Sequence, residues 1–339
     1  MPYKKTLETV LEAQIGDSLQ DNPLVYWAFA VEKGLMAVTD HKTLHVINIS
    51  DLKIEKSLPL GFEPDFMAYN GSADAFFIAG RDGSRSIIRA DAVDKGVNEV
   101  NLVARLDGIR GNSSLIFRDF GQRLIGVTYF NQGVSPTGRD EPHLMLLANY
   151  QGGVNIKWLP LPNLPEREKG DDSYPVDLVT DERNNRAYVL NARSARVNVC
   201  DFSGEGPAFR TFRVGNGLGN TRGAVNPVDS SLWVANGQYL VKVPYSEASG
   251  EREVDVGKLS SFKIGYDQMD QVGNLAFNGG GSLIAASLPN SGRIVLRHLS
   301  NGRLNYVDFK RQSLVHFVGD TLYVLSRNNR SIAAFEKVV

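Results

Sequence analysis

The amino-acid sequence predicts an all-β fold, a seven-bladed β-propeller whose last blade is completed by a strand from the N-terminus. One pattern recurs about seven times along the 339 residues: an apolar run, a polar turn with Asp, Asn or Gly, an apolar run ending in small residues, then a third and often a fourth run. The period is roughly 40 to 50 residues, the spacing of propeller blades, which cannot bury their faces alone and must stack. Helical periodicity with caps is sustained nowhere. The clearest copy is YPVDLVTDERNNRAYVLNARSARVNVCDF, from Tyr174 to Phe202.

Turn signals divide the chain into blades at 22–61, 62–108, 109–163, 164–216, 217–258 and 259–309, followed by a remainder at 310–339. The remainder holds only the runs SLVHFVG, DTLYVLSR and SIAAFEKVV and lacks an outermost strand. The run TLETVLEAQI, residues 6–15, alternates as a half-buried strand does and can supply it. That pairing would hold both chain ends in one sheet and remove an open edge, making residues 1–339 a single domain. The alternative is a frayed tail beside a three-stranded last blade.

Within a blade the first strand is expected to be the most apolar, as in VYWAFAV, DFMAYN, SLIFRDF, VDLVTD, AVNP and GNLAFN. Second strands such as LMAVTD, AFFIAG, RLIGVTY, RAYVLN, SLWVAN and SLIAAS are rich in β-formers and end in small or turn-forming residues. The closing strands KIEKSLPL, EREVDVG and LNYVDF alternate with polar residues, as a solvated outer rim requires.

Composition excludes several classes of function. With 37 basic and 38 acidic residues the net charge is -1, which leaves no electrostatic footprint for nucleic acid. Cys200 is the single cysteine, so no internal disulfide and no cysteine metal site can form, and its place in RVNVCDF reads as a buried small hydrophobe. No stretch approaches the ~18 apolar residues of a membrane span, and MPYKKTLETVLEAQIG lacks the apolar core of a signal peptide. The chain reads as soluble, cytoplasmic as written or exported if a leader has been removed.

The phrasing of RNNRAYVLNARSARVNVCDF, echoed by SADAFFIAGRDGSRSIIRAD and GSLIAASLPNSGRIVLRHL, resembles the repeats of YVTN-type seven-bladed propellers. That group is akin to lactonase-like propellers and to the large subunits of quinoprotein amine dehydrogenases. The likeness covers most of the chain but rests on strand and turn residues, which specify fold and not activity.

Two long polar insertions fall where loops of a propeller surround its axial mouth: Phe130 to His143 in blade 3 and Asn163 to Tyr174 leading into blade 4. They define a partner rim with Asn131, Arg139, Asp140, Glu141, Glu166, Arg167, Glu168 and Lys169. A second constellation lies just before each innermost strand: Asn22, Glu63, Asp65, Asn112, Asp172, Asp177, Asn220, Arg222, Asp267, Asp270 and Asn274. If these crowd one axial funnel they offer hard oxygen donors of the kind Ca2+ or Mg2+ prefers. The resemblance to lactonase-like propellers implies a divalent ion there, although no flanking motif of that family matches. Asp and Asn are equally expected at turns for their own backbone hydrogen bonds.

The remaining signals are structural. His41 and His45 sit in HKTLHVINIS, a strand where a four-residue spacing does not make a metal pair. VGNGLGNTRG lacks the helix and Lys-Ser/Thr ending of a phosphate loop. Trp27, Trp158 and Trp233 each lie in an apolar strand and are expected in the core.

The leading expectation is therefore a non-catalytic scaffold, with no cofactor required, that presents the loop-rich face to a protein partner or small ligand. One alternative is a lactonase-like hydrolase or isomerase. Its metal would be held by Glu63, Asp172, Asn220 and Asp270, with Asp177 or Asp267 as general base and Arg222 polarising an oxyanion. A further alternative, drawn from the amine dehydrogenase resemblance, is a subunit docking onto a cofactor-bearing oxidoreductase.

Overall fold

The computed structural model describes residues 3–11, 26–80, 86–91, 100–105, 115–130, 141–148, 155–161, 174–192, 196–214, 221–249, 259–264, 271–310 and 313–337. Among these residues the regular structure is β-strand, apart from the 3-10 turns Val31–Lys33 and Glu182–Asn184 and one short helix, α1 (Tyr245–Ser249). The chain divides into two compact units, one of Leu11–Leu161 and one of Met1–Val10 with Pro162–Val339.

The first unit holds three four-stranded antiparallel sheets in sequence order. They are β1 (Trp27–Ala30), β2 (Leu35–Asp40), β3 (Thr43–Asn48) and β4 (Ile54–Pro59); β5 (Pro64–Asn70), β6 (Ala75–Gly80), β7 (Ser86–Asp91) and β8 (Val100–Arg105); and β9 (Ile116–Phe120), β10 (Arg123–Phe130), β11 (Glu141–Ala148) and β12 (Asn155–Pro160). The second unit holds β13 (Pro175–Asp181), β14 (Arg186–Asn191), β15 (Arg196–Asp201) and β16 (Ala208–Arg213); β17 (Thr221–Val225), β18 (Leu232–Asn236), β19 (Tyr239–Val243) and β20 (Ser260–Lys263); and β21 (Asn274–Phe277), β22 (Leu283–Leu288), β23 (Arg293–His298) and β24 (Leu304–Asp308). Its last sheet is β25 (Ser313–Val318), β26 (Thr321–Ser326) and β27 (Ser331–Lys337), with the N-terminal strand βN (Tyr3–Val10) antiparallel to β27.

Several sequence expectations need correction. The N-terminal strand spans Tyr3–Val10 and not 6–15; residues 12–15 lie outside the described residues. The fourth strand of the fifth sheet is Ser260–Lys263, past the expected boundary at 258, and the run EREVDVG lies outside the described residues. SSFK carries too little alternation to be recognised as a strand without its partner Tyr239–Val243.

The burial gradient also differs. Second strands are the most buried: every residue of β2, β6, β14 and β22 is buried, whereas in β21 only Leu275 is. A second strand has a hydrogen-bonded neighbour on each side as well as a covered face, while the first strand is an edge of its own sheet.

Apolar side chains fill the spaces between consecutive sheets within each unit. Tyr188, Leu190, Val197 and Phe212 of one sheet meet Leu232, Val234, Val241 and Val243 of the next. Trp233, 2 % exposed, joins Ile264, Leu275, Ile284 and Val295 between the fifth and sixth sheets. Its indole lies 5.4 Å from the Phe262 ring at 16°, meets Phe277 edge-on at 6.0 Å, and donates from Nε1 to Ser231 Oγ at 3.0 Å. The Arg297 guanidinium covers Phe262 at 3.9 Å. Trp158 is partly buried against the core between the second and third sheets.

Cys200 lies in β15, wholly buried, and burial pushes its thiol above the ordinary range. A thiol reagent is expected to leave the native protein unlabelled and to modify one thiol per chain after denaturation. Labelling under native conditions would place this strand at the surface.

Candidate functional site

Each first strand bonds to its own sheet on one side only, so N–H groups on its free edge need acceptors from elsewhere. The polar residues at the start of the first strands provide them. Asp65 Oδ2 accepts the backbone N–H of Leu115, just before β9, at 3.1 Å. Asp177 Oδ2 accepts that of Gly223 in β17 at 3.1 Å, and Asn274 Oδ1 accepts that of Val315 in β25 at 2.7 Å. Each bond joins one sheet to the next. Asp65 is 1 % and Asp177 7 % exposed. An N–H shielded from water and bonded to a carboxylate or amide oxygen is a strong tie, because loss of the acceptor leaves the donor poorly satisfied.

Asp177 carries a second tie, accepting the N–H of Leu178 through Oδ1 at 2.9 Å. With each oxygen accepting a backbone N–H, the carboxylate is held in place as an anchor between two sheets. Arg222, half-buried in β17, donates from Nη1 to the carbonyl of Val176 and from Nε to that of Gly273 at 3.2 Å. One guanidinium thus links the fifth sheet to the fourth and the sixth.

A second set of ties, which the sequence reading missed, joins the opposite ends of the first strands. Asn226 donates to Gly281 O at 2.9 Å while its Oδ1 accepts the N–H of Val228 at 2.8 Å. Asn278 donates to Asp320 Oδ1 at 2.7 Å while its Oδ1 accepts the N–H of Leu283 at 2.9 Å. Asn70 accepts the N–H of Ala73 at 2.8 Å and donates to the Asp119 carboxylate. Asn184 donates to Ser230 Oγ at 2.7 Å. Asn70, Asn226 and Asn278 each cap their own turn with the carbonyl and reach the next sheet with the NH2, a double role that Asp lacks the donor to fill. The signal was present: AYN, AVN and AFN end first strands alike.

Of the other predicted residues, Glu63 is exposed immediately before β5. Asn22, Asn112, Asp172, Asn220, Asp267 and Asp270 lie outside the described residues, so the four candidate metal ligands are not brought together by any described geometry. On the rim, the backbone of Glu141 belongs to β11, paired with Phe130, and His143 is buried opposite Thr128. The insertion is therefore shorter than Phe130 to His143. Asn131, Arg139, Asp140, Glu166, Arg167, Glu168 and Lys169 lie outside the described residues. His45 is buried with Nδ1 2.8 Å from Ser57 Oγ, and burial lowers its basicity.

Among the described residues no group of three or more His, Cys, Asp or Glu is arranged to hold a metal ion, and no helix is long and apolar enough to cross a membrane. No protein-family model and no curated protein sequence matches the chain. A solved structure is similar: the β-propeller domain of Cps50 (Swd1) from Myceliophteria thermophila, at 12 % identity, covering 99 % of this chain and 100 % of that domain with a TM-score of 0.69. The fold is a β-propeller. At that identity the likeness concerns architecture alone. In this propeller the ties of Asp65, Asp177, Asn274 and Arg222 join consecutive blades.

Proposed function

We propose that this chain is a seven-bladed propeller of YVTN kind, with βN completing the last blade, and that it serves as a non-catalytic binding scaffold. Its loop-rich face, carrying the segments 130–143 and 163–174, receives a protein partner or small ligand. The observation that carries this reading is the commitment of Asp177 and Arg222, two of the three candidate catalytic residues, to backbone groups of neighbouring blades. Four-stranded sheets throughout, with βN bonded to β27, are consistent with the seven-blade arrangement.

The test replaces 131–140 and 163–173 together by short Gly-Ser turns and compares the proteins and metabolites that the parent and the variant retain from the source cell. The scaffold reading expects binding lost in the variant with an unchanged thermal midpoint, and unchanged binding in Asp270→Asn. Retention of every bound species in the loop variant, or a calcium-dependent hydrolysis abolished by Asp270→Asn, overturns it.

A further inference from the structure

The strand βN is joined to one part of the molecule and packed on another. Met1–Val10 belongs with Pro162–Val339, whereas the chain from Leu11 onward belongs with the other unit. Seven residue pairs, from Tyr3↔Lys337 to Val10↔Ser331, seat βN on β27, with a bulge between Lys5 and Leu7.

Among the described residues its side chains add only two hydrogen bonds to backbone carbonyls of that seat, Tyr3 Oη to Asp320 O and Thr6 Oγ1 to Ala334 O, each at 3.2 Å. Lys4, Lys5, Thr6, Glu8 and Val10 are exposed, and only Tyr3, Leu7 and Thr9 are half-buried. Tyr3 meets Phe317 edge-on at 6.4 Å, and Glu8 pairs with Lys310 at 3.0 Å and Lys5 at 2.6 Å. Exposed ion pairs of this kind hold weakly. The surface beneath is different: Ser331 to Phe335 of β27 are all buried. Leu11, just beyond the strand, is 1 % exposed. Release would therefore bare an apolar edge strand, a template for any matching segment.

We propose that βN is an exchangeable strand, and that the partner fitting the β27 edge is the N-terminal strand of a second copy of this chain. That segment carries the register and side chains the edge already accepts, so the hydrogen bonds and packing broken on release are re-formed in full on exchange. Leu11 to Tyr26 is a stretch of 16 residues. A stretch of that length spans at most about 50 Å, the upper limit on how far the strand can reach on exchange.

Full-length variants test this, because Cys200 is the sole native cysteine and is buried. Leu7 and Ala334 are cross-strand partners. A chain carrying both Leu7→Cys and Ala334→Cys is expected to close an internal disulfide. Equal amounts of a Leu7→Cys chain and an Ala334→Cys chain, co-incubated and then oxidised, are expected to give a disulfide-linked heterodimer. A mixture of Leu7→Cys with Arg303→Cys, an exposed turn position, should give none above background. Thr9→Cys with Ile332→Cys is a second matched pair, should either first substitution fail to fold. Equal heterodimer yields in matched and control mixtures, no heterodimer where the double variant closes internally, or failure of both double variants to close, each overturns the proposal.

Discussion

Trp233→Ala is expected to lower the free energy of unfolding by about 3–5 kcal/mol, the range for truncating a large buried aromatic. The indole is 2 % exposed and wedged between two blades, stacked on Phe262 and edge-on to Phe277. Its removal forfeits those ring interactions and leaves a space that blades already tied at both ends cannot readily close. Trp233→Phe keeps a ring but loses the Nε1 bond to Ser231, and should fall between. Urea unfolding followed by far-ultraviolet circular dichroism checks the order. A loss below about 0.5 kcal/mol for the alanine variant, the range of ordinary surface substitutions, would place the indole outside the core.

The next largest effects belong to the ties between first strands. Asp65→Ala and Asp177→Ala should each destabilise by about 2 kcal/mol, because a backbone N–H of the following blade loses its acceptor. Asp65→Asn and Asp177→Asn keep a side-chain oxygen and should cost less than alanine. Asn274 already serves in this way with an amide oxygen. A metal or base role predicts the opposite ranking for function, since asparagine would abolish activity while sparing the fold.

Strand order was legible because the information is local. LMAVTD, RAYVLN and SLIAAS declare themselves by β-forming composition and by the turns that bound them. The fourth strand SSFK was not legible, being short and polar at its start and recognisable only through its ladder with Tyr239–Lys242. The burial gradient was misjudged because lying at the centre of a fold was equated with being covered. A first strand has an unpaired edge, whereas a second strand has neighbours all round.

The same unpaired edge explains the candidate site. Sequence shows that polar groups such as Asp65, Asp177 and Arg222 recur before first strands, but not whether they turn toward one funnel or toward a neighbouring blade. The demand comes from N–H groups of the following blade, 46 residues on for Asp177 and 50 for Asp65. No local pattern encodes such a partner. The ties of Asn70, Asn226 and Asn278 were more accessible, because the same residue closes the same strand in three blades.

Hydrogen exchange at the Gly223 amide addresses the anchoring role of these residues most directly. In the parent protein this amide should exchange slowly although it lies on a strand edge. In Asp177→Ala it should exchange much faster, relative to the amide of Val234 in the adjoining strand, which reports stability of the blade as a whole. Equal protection of Gly223 in the parent and in Asp177→Ala would contradict the account, and would return Asp177 to the pool of groups available for chemistry.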